Sequence, residues 1–129
     1  MVSTLEVIHA LYSDSSFLIF KTVATQSLDS RTLKIKTKLT RKQYYTGMYK
    51  LAQSGLIEKR KGAYFLTTLG EIVQNSLHLI ENGVEVYWKL KTIDALKTTK
   101  SDMPKSEHRN LVDTLIEDKQ LKEIIVKNL

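Results

Sequence analysis

Between Thr40 and Glu71 the spacing of apolar residues changes period twice, and this limits the fold of the 129-residue chain more than any other feature. Tyr44, Met48, Leu51 and Gly55 recur at i, i+4, i+7 and i+11, which places them on one face of a helix. Thr40-Arg-Lys-Gln43 has the spacing of a capping box, in which the threonine oxygen accepts from an early backbone N–H and the glutamine reaches back. Ser54-Gly55 ends that helix, because glycine tolerates the left-handed conformation needed there. Residues 56–60 and 63–67 then read as two strands, and Lys61-Gly62 between them suits a tight hairpin. Thr68-Leu-Gly-Glu71 repeats the capping-box spacing and starts a long helical stretch to about Leu96. Asn82-Gly83 either breaks that stretch or merely weakens it.

Upstream, three shorter helices are expected. Residues 4–12 carry Leu5, Ile8 and Leu11 or Tyr12. Residues 16–26 place Phe17, Phe20 and Ala24 on one face, capped by Asp14 or Ser15. Residues 29–36 form a short polar helix anchored by Leu33 and capped by Asp29 or Ser30, followed by a turn over residues 37–39. Downstream, residues 98–103 read as a linker, Pro104 falls where a first-turn proline is tolerated, and a last helix runs to about Lys127. The expected fold is therefore mainly α with a small β-hairpin. The order helix, helix, turn, helix, hairpin, helix is that of a winged helix-turn-helix, here with long C-terminal helices. Residues 1–82 would form this domain, and residues 83–129 a helical extension that dimerises.

Charge adds a direction to this outline. Residues 31–61 hold ten basic side chains and a single acid, Glu58, so the window carries +9 while the whole chain carries +6. An excess of that size marks a surface facing a polyanion. In a helix-turn-helix the second helix enters the major groove of DNA, and a hairpin contacts the backbone nearby. The helix opened by Thr40 would bury Tyr44, Met48 and Leu51. Its other side would show Arg41, Lys42, Gln43, Thr46, Tyr49 and Lys50, groups that can reach base edges or phosphates. Tyr45 lies between the two faces. Lys59, Arg60 and Lys61 put three cations at the hairpin tip. With Arg31, Lys38 and Thr40, these make up the candidate DNA-contacting set. The expected function is sequence-specific binding of double-stranded DNA in transcriptional regulation. The alternative is a winged helix used as a protein-interaction module in a transcription or replication complex.

Leu39-Thr-Arg-Lys-Gln-Tyr-Tyr, Leu51-Ala-Gln-Ser-Gly-Leu-Ile and Lys61-Gly-Ala-Tyr-Phe-Leu-Thr-Thr-Leu-Gly70 together resemble archaeal winged-helix transcriptional regulators of the ArsR-like broad class. The resemblance covers about residues 14–77. The Leu-x-x-x-Gly-Leu-Ile segment recurs in many winged helices, whereas the double tyrosine after Thr-Arg-Lys-Gln points more narrowly to the archaeal group. The resemblance implies a DNA-binding regulator. Metal-sensing members of the wider class use cysteines and histidines. This chain has no cysteine, so that activity does not carry over.

Other chemistries find little support. His9, His78 and His108 share no ligand spacing, so no metal site is expected. The five glycines are scattered and form no phosphate loop. Glu117-Asp118 reads as a solvated pair on a helix face, and Trp88 as buried in a helix interface. No nucleophile or acid–base constellation appears, so no enzyme, catalytic residue or cofactor is expected. The start Met-Val-Ser-Thr-Leu-Glu has no basic region followed by an apolar stretch, and no window approaches the roughly 20 apolar residues of a membrane span. A cytoplasmic protein with no membrane partner is expected. Val73, Leu77, Ile80, Val84 and Tyr87 recur at spacings of 4, 3, 4 and 3, the seam of a helix packed along another. Trp88, Leu90, Ile93 and Leu96, with Leu111, Leu115, Ile116, Ile124 and Ile125, add further apolar surface. Two arrangements cover that seam: a fold-back of the last helix, or the preferred homodimer through the C-terminal helices.

Overall fold

Short polar side chains set most of the helix starts. In the computed structural model, which describes residues 1–98 and 103–129, the Ser3 hydroxyl accepts from the Glu6 N–H at the head of α1 (Thr4–Leu11). Ser13 does the same for Ser16 at α2 (Asp14–Thr25). Asp29 caps α3 (Ser30–Thr37) through Thr32. At α4 (Arg41–Gln53) both halves of the capping box form. Thr40 Oγ1 accepts from Gln43 N at 3.2 Å, and Gln43 Oε1 accepts from Thr40 N at 3.1 Å. Each such cap contributes about 0.5–2 kcal/mol.

The rest of the chain runs β2 (Ile57–Arg60), β3 (Ala63–Leu66), α5 (Thr68–Glu85), α6 (Tyr87–Thr98), α7 (Lys105–Leu115) and α8 (Lys119–Lys127). A two-residue β1 (Leu28–Asp29) precedes α3. The chain is thus mainly helical, with a small antiparallel sheet in the order β1-β3-β2. It packs as two compact units, residues 1–75 and 76–129, so the division falls inside α5, N-terminal to the expected position at residue 82.

In the first unit α2 and α4 form the centre. Ile19, Phe20 and Val23 of α2, Leu33 of α3, and Tyr44, Met48 and Leu51 of α4 are buried together with Leu56 and Ile57. Burying a side chain such as Phe20 contributes about 1.5–3 kcal/mol. The expected buried face of α4 is the observed one. That of α2 is rotated: Ser16, Ile19, Phe20 and Val23 point inward, and Phe17 stays at the exposed edge. The start differs as well: Ser13 rather than Asp14 or Ser15 caps the helix, which begins two residues earlier than expected.

In the second unit α6, α7 and α8 close over the end of α5. Ile93, Val112, Ile116 and Leu121 are buried, and Leu79, Val86, Leu90, Leu115, Ile125 and Val126 pack against them. The expected last helix is two helices. Ile116 turns extended, with φ −109° and ψ 120°, and Asp118 caps α8 by accepting from Leu121 N at 3.0 Å. Glu117-Asp118 is therefore a helix junction, not a pair on a helix face. The other carboxylate oxygen of Asp118 accepts from Asn82 at 2.8 Å. Gly83 does not break α5, which runs on to Glu85 before a one-residue turn at Val86. The start of α5 also differs from expectation: Thr67, not Thr68, accepts from Gly70 N. Of the expected linker, residues 99–102 lie outside the described residues.

The fold-back covers part of the apolar surface of the C-terminal helices, including Leu90, Ile93, Leu115, Ile116 and Ile125. It leaves Ile80, Val84 and Tyr87 exposed, and Trp88, expected in an interface, is 78% exposed with its ring edge-to-face on Tyr87.

Candidate nucleic-acid interface

The candidate residues lie on α3, the α3–α4 turn, α4 and the β2–β3 hairpin, all within the first unit. Every one of Arg31, Lys38, Thr40, Arg41, Lys42, Gln43, Tyr45, Thr46, Tyr49, Lys50, Lys59, Arg60 and Lys61 is exposed. Burial of Tyr44, Met48 and Leu51 on one side of α4 leaves Lys42, Thr46 and Tyr49 on the other, with Tyr45 at the flank, while Arg41, seven residues before Met48, is exposed at the first turn of the helix. Tyr45 and Tyr49 are 47% and 66% exposed, so both phenols belong to the surface.

The α4 residues do not form one patch. Arg41 and Tyr45 line an open cleft of about 450 Å³ with Lys34, Leu39 and Tyr44. Tyr49 and Lys50 line a different cleft, of about 290 Å³, with Glu6 and His9 of α1. Nine residues of helix separate Arg41 from Lys50, about 13 Å at the helical rise. Lys50 thus faces an acid, while the Arg41 end has none.

Sequence reasoning left Lys34 out of the set. Its ammonium lies 2.5 Å from the Tyr45 hydroxyl and over the rings of both Tyr45 and Tyr44. A helical signal was present, because Arg31, Lys34 and Lys38 fall at i, i+3 and i+7. The contact with Tyr45 across the α3–α4 turn makes it meaningful. The Lys34 ammonium also holds the Tyr45 phenol below its ordinary pKa, chiefly through that hydrogen bond. Burial pushes the neighbouring Tyr44 phenol the other way.

The hairpin turn is built by Lys61 and Gly62, both at positive φ (51° and 82°), as a tight two-residue turn between right-twisted strands requires. Arg60 pairs with Ala63, Lys59 with Tyr64, and Glu58 with Phe65. Side chains alternate across a strand, so Lys59 and Arg60 leave on opposite faces. Their aromatic neighbours agree: Lys59 lies over Tyr64 at 5.7 Å, and Arg60 over Phe65 at 4.4 Å. The Lys59 face also carries Ile57, which is buried, and Tyr64, close enough to Tyr44 to help raise its pKa. Arg60 is further held by Glu58 at 3.0 Å. The hairpin therefore offers Lys59 on the side of α4 and an Arg60 paired with Glu58 on the other.

Among the described residues no group of three or more histidine, aspartate or glutamate side chains is placed to hold a metal ion. No described helix is long and apolar enough to cross a membrane. His9 and His78 are exposed, while the Nε2 atom of His108 is buried without a hydrogen-bond partner. Comparison of the chain with protein-family models, with curated proteins and with solved structures finds no match.

Proposed function

We propose that the first unit is a winged helix-turn-helix that binds double-stranded DNA, with α4 as the recognition helix and the β2–β3 hairpin as the wing, and that the chain regulates transcription. The observation that carries this reading is the coincidence of charge and exposure. From Ser30 to Ile57 the sequence has no carboxylate, and its cations crowd the outward sides of α3 and α4. The mechanism is groove docking with phosphate neutralisation and involves no covalent chemistry. The direct test is selection of bound duplexes from a random pool by the full chain. An enriched motif supports specific recognition. Salt-sensitive binding without a motif reduces the role to sequence-independent binding, and no binding removes the reading.

The same proposal includes a homodimer through the second unit, which would let two copies address two half-sites. Ile80, Val84, Tyr87 and Trp88 support it, because they stay exposed along the end of α5 and the start of α6 after α7 and α8 have covered Ile93 and its neighbours. Solution mass decides the point. A monomer at micromolar concentration refutes the dimer, and Ile80→Glu with Val84→Glu should dissociate it. A winged helix used as a protein-interaction module is the second reading. Leu5, Ile8 and Tyr12, exposed together along α1, favour it.

A further inference from the structure

The cleft between α3 and α4 carries more charge than its surroundings offset. Lys34 Nζ stands 2.5 Å from Tyr45 Oη, 4.6 Å from the centre of that ring and 5.4 Å from the centre of the Tyr44 ring. The Arg41 guanidinium stands 5.8 Å from the Tyr45 ring centre. Two cations, two phenols and no carboxylate line one open cleft. The ring faces offset only part of the cation charge at an exposed site. The remaining positive potential calls for an anion.

Hydrogen-bond direction narrows the kind of anion. An ammonium can only donate, so Lys34 uses the Tyr45 oxygen as acceptor. The phenolic proton is left over, and it has no acceptor among the described residues. A phenol whose oxygen already accepts is polarised toward donating. The lowered pKa of Tyr45 agrees with that polarisation. Three donors then face one space: the ammonium, the phenolic O–H and the guanidinium. A guanine edge presents two neutral acceptors and the other base edges carry a donor or a methyl group, whereas a phosphate presents acceptors with a full negative charge that matches two cations.

We propose that this cleft seats one backbone phosphate of the bound duplex, with Lys34, Tyr45 and Arg41 as its donors. The inference rests on the duplex-binding reading. It makes Lys34 a phosphate contact whose position is set by Tyr45, and it removes Tyr45 from base reading.

The test uses the full chain and a labelled duplex of mixed sequence, titrated across salt concentrations. Lys34→Met should weaken binding and flatten the slope of log affinity against log salt by about one, as loss of a single phosphate contact does. Lys34→Arg keeps the charge and should keep the wild-type slope. Tyr45→Phe should lower affinity roughly fivefold, the scale of one hydrogen bond, and leave the slope alone. Combining Lys34→Met with Tyr45→Phe should cost less than the two losses taken together, because both act on one phosphate. A folded Lys34→Met protein with unchanged slope overturns the clamp while leaving duplex binding intact. A lowered melting temperature with unchanged slope would instead make Lys34 a strut between α3 and α4, and also overturns it. A wild-type chain that binds no duplex takes down the reading and the clamp together.

Discussion

The hydroxyl of Tyr44 lies 2.9 Å from the hydroxyl of Ser30, fourteen residues earlier. Through it the buried face of α4 is tied to the first residue of α3, beneath the cluster of cations. Tyr44→Phe keeps the ring and removes the tie. It should cost about 0.5–1.5 kcal/mol, read as a lower urea midpoint at pH 7. The pH dependence has a definite sign. Burial raises the Tyr44 pKa in the folded chain. Its contribution is intact below the ordinary tyrosine pKa of about 10 and is lost as pH rises through the higher folded value. Wild type should therefore lose stability above about pH 10 more steeply than Tyr44→Phe. Parallel alkaline limbs would refute that attribution.

Gly70→Ala tests a conflict between local and tertiary terms. On propensity alone, alanine inside a helix gains about 1 kcal/mol over glycine. A Cβ at Gly70, however, would stand 2.2 Å from the backbone oxygen of Leu56. Backbone cannot step aside as a side chain can, so net destabilisation of about 1–3 kcal/mol or more is expected. Gly47→Ala clashes with the tip of Ile19 at 2.8 Å and meets Ser16 at an ordinary 3.4 Å, so it should be milder. Thermal melts of the two variants give the order directly.

The two hairpin cations should separate in a binding titration. Lys59→Ala should weaken duplex binding more than Arg60→Ala, because Arg60 points to the other face and is paired with Glu58. Glu58→Gln should tighten binding, since it removes the one acid in the basic window. Equal losses at Lys59 and Arg60 would mean that the DNA meets the hairpin tip rather than one face.

Along α4, Arg41→Ala should weaken binding across all sequences and flatten the salt slope by about one, as loss of a phosphate contact does, and Lys50→Ala should cost distinctly less. Lys50 shares its cleft with Glu6. The reverse order in the same titration would move the contact surface toward α1.

In the second unit, Asp118→Ala removes the cap of α8 and the partner of Asn82 at once. Loss of the cap alone costs about 0.5–2 kcal/mol. Asn82→Ala removes only the second bond and should cost less. Amide exchange along α8 would register the difference, with Asp118→Ala fraying its first turn.

What the sequence revealed and what it hid divides along the range of the interactions. The Thr40–Gln43 box, the Tyr44-Met48-Leu51 face and the Lys61-Gly62 turn depend on neighbours within a few residues, and each was legible. The strand Leu28–Asp29 was not, because it has two residues and its partner is β3, some 35 positions away. The break at Ile116 was hidden too, since an isoleucine between Leu115 and Glu117 reads as one more apolar helix position until Asp118 is seen to cap. Trp88 misled for a related reason: its size argues for burial, but α6 turns Leu90 and Ile93 inward instead. At the candidate site, exposure followed from helix periodicity. The Lys34–Tyr45 contact and the opposite faces of Lys59 and Arg60 needed, respectively, the path of the turn between α3 and α4 and the register of the hairpin.

Asp29 serves two elements at the same time. Its backbone pairs with Ala63 beside the hairpin turn, and its carboxylate accepts from Thr32 N at 2.7 Å to cap α3. A swing of the hairpin would have to uncap that helix, so the hairpin and the α3–α4 pair hold a fixed gauge. On the proposed reading, a duplex that approaches must bring its groove width to that gauge. Sequences that yield easily would then be favoured at positions no side chain touches, so the stiffness of DNA becomes part of what the protein recognises.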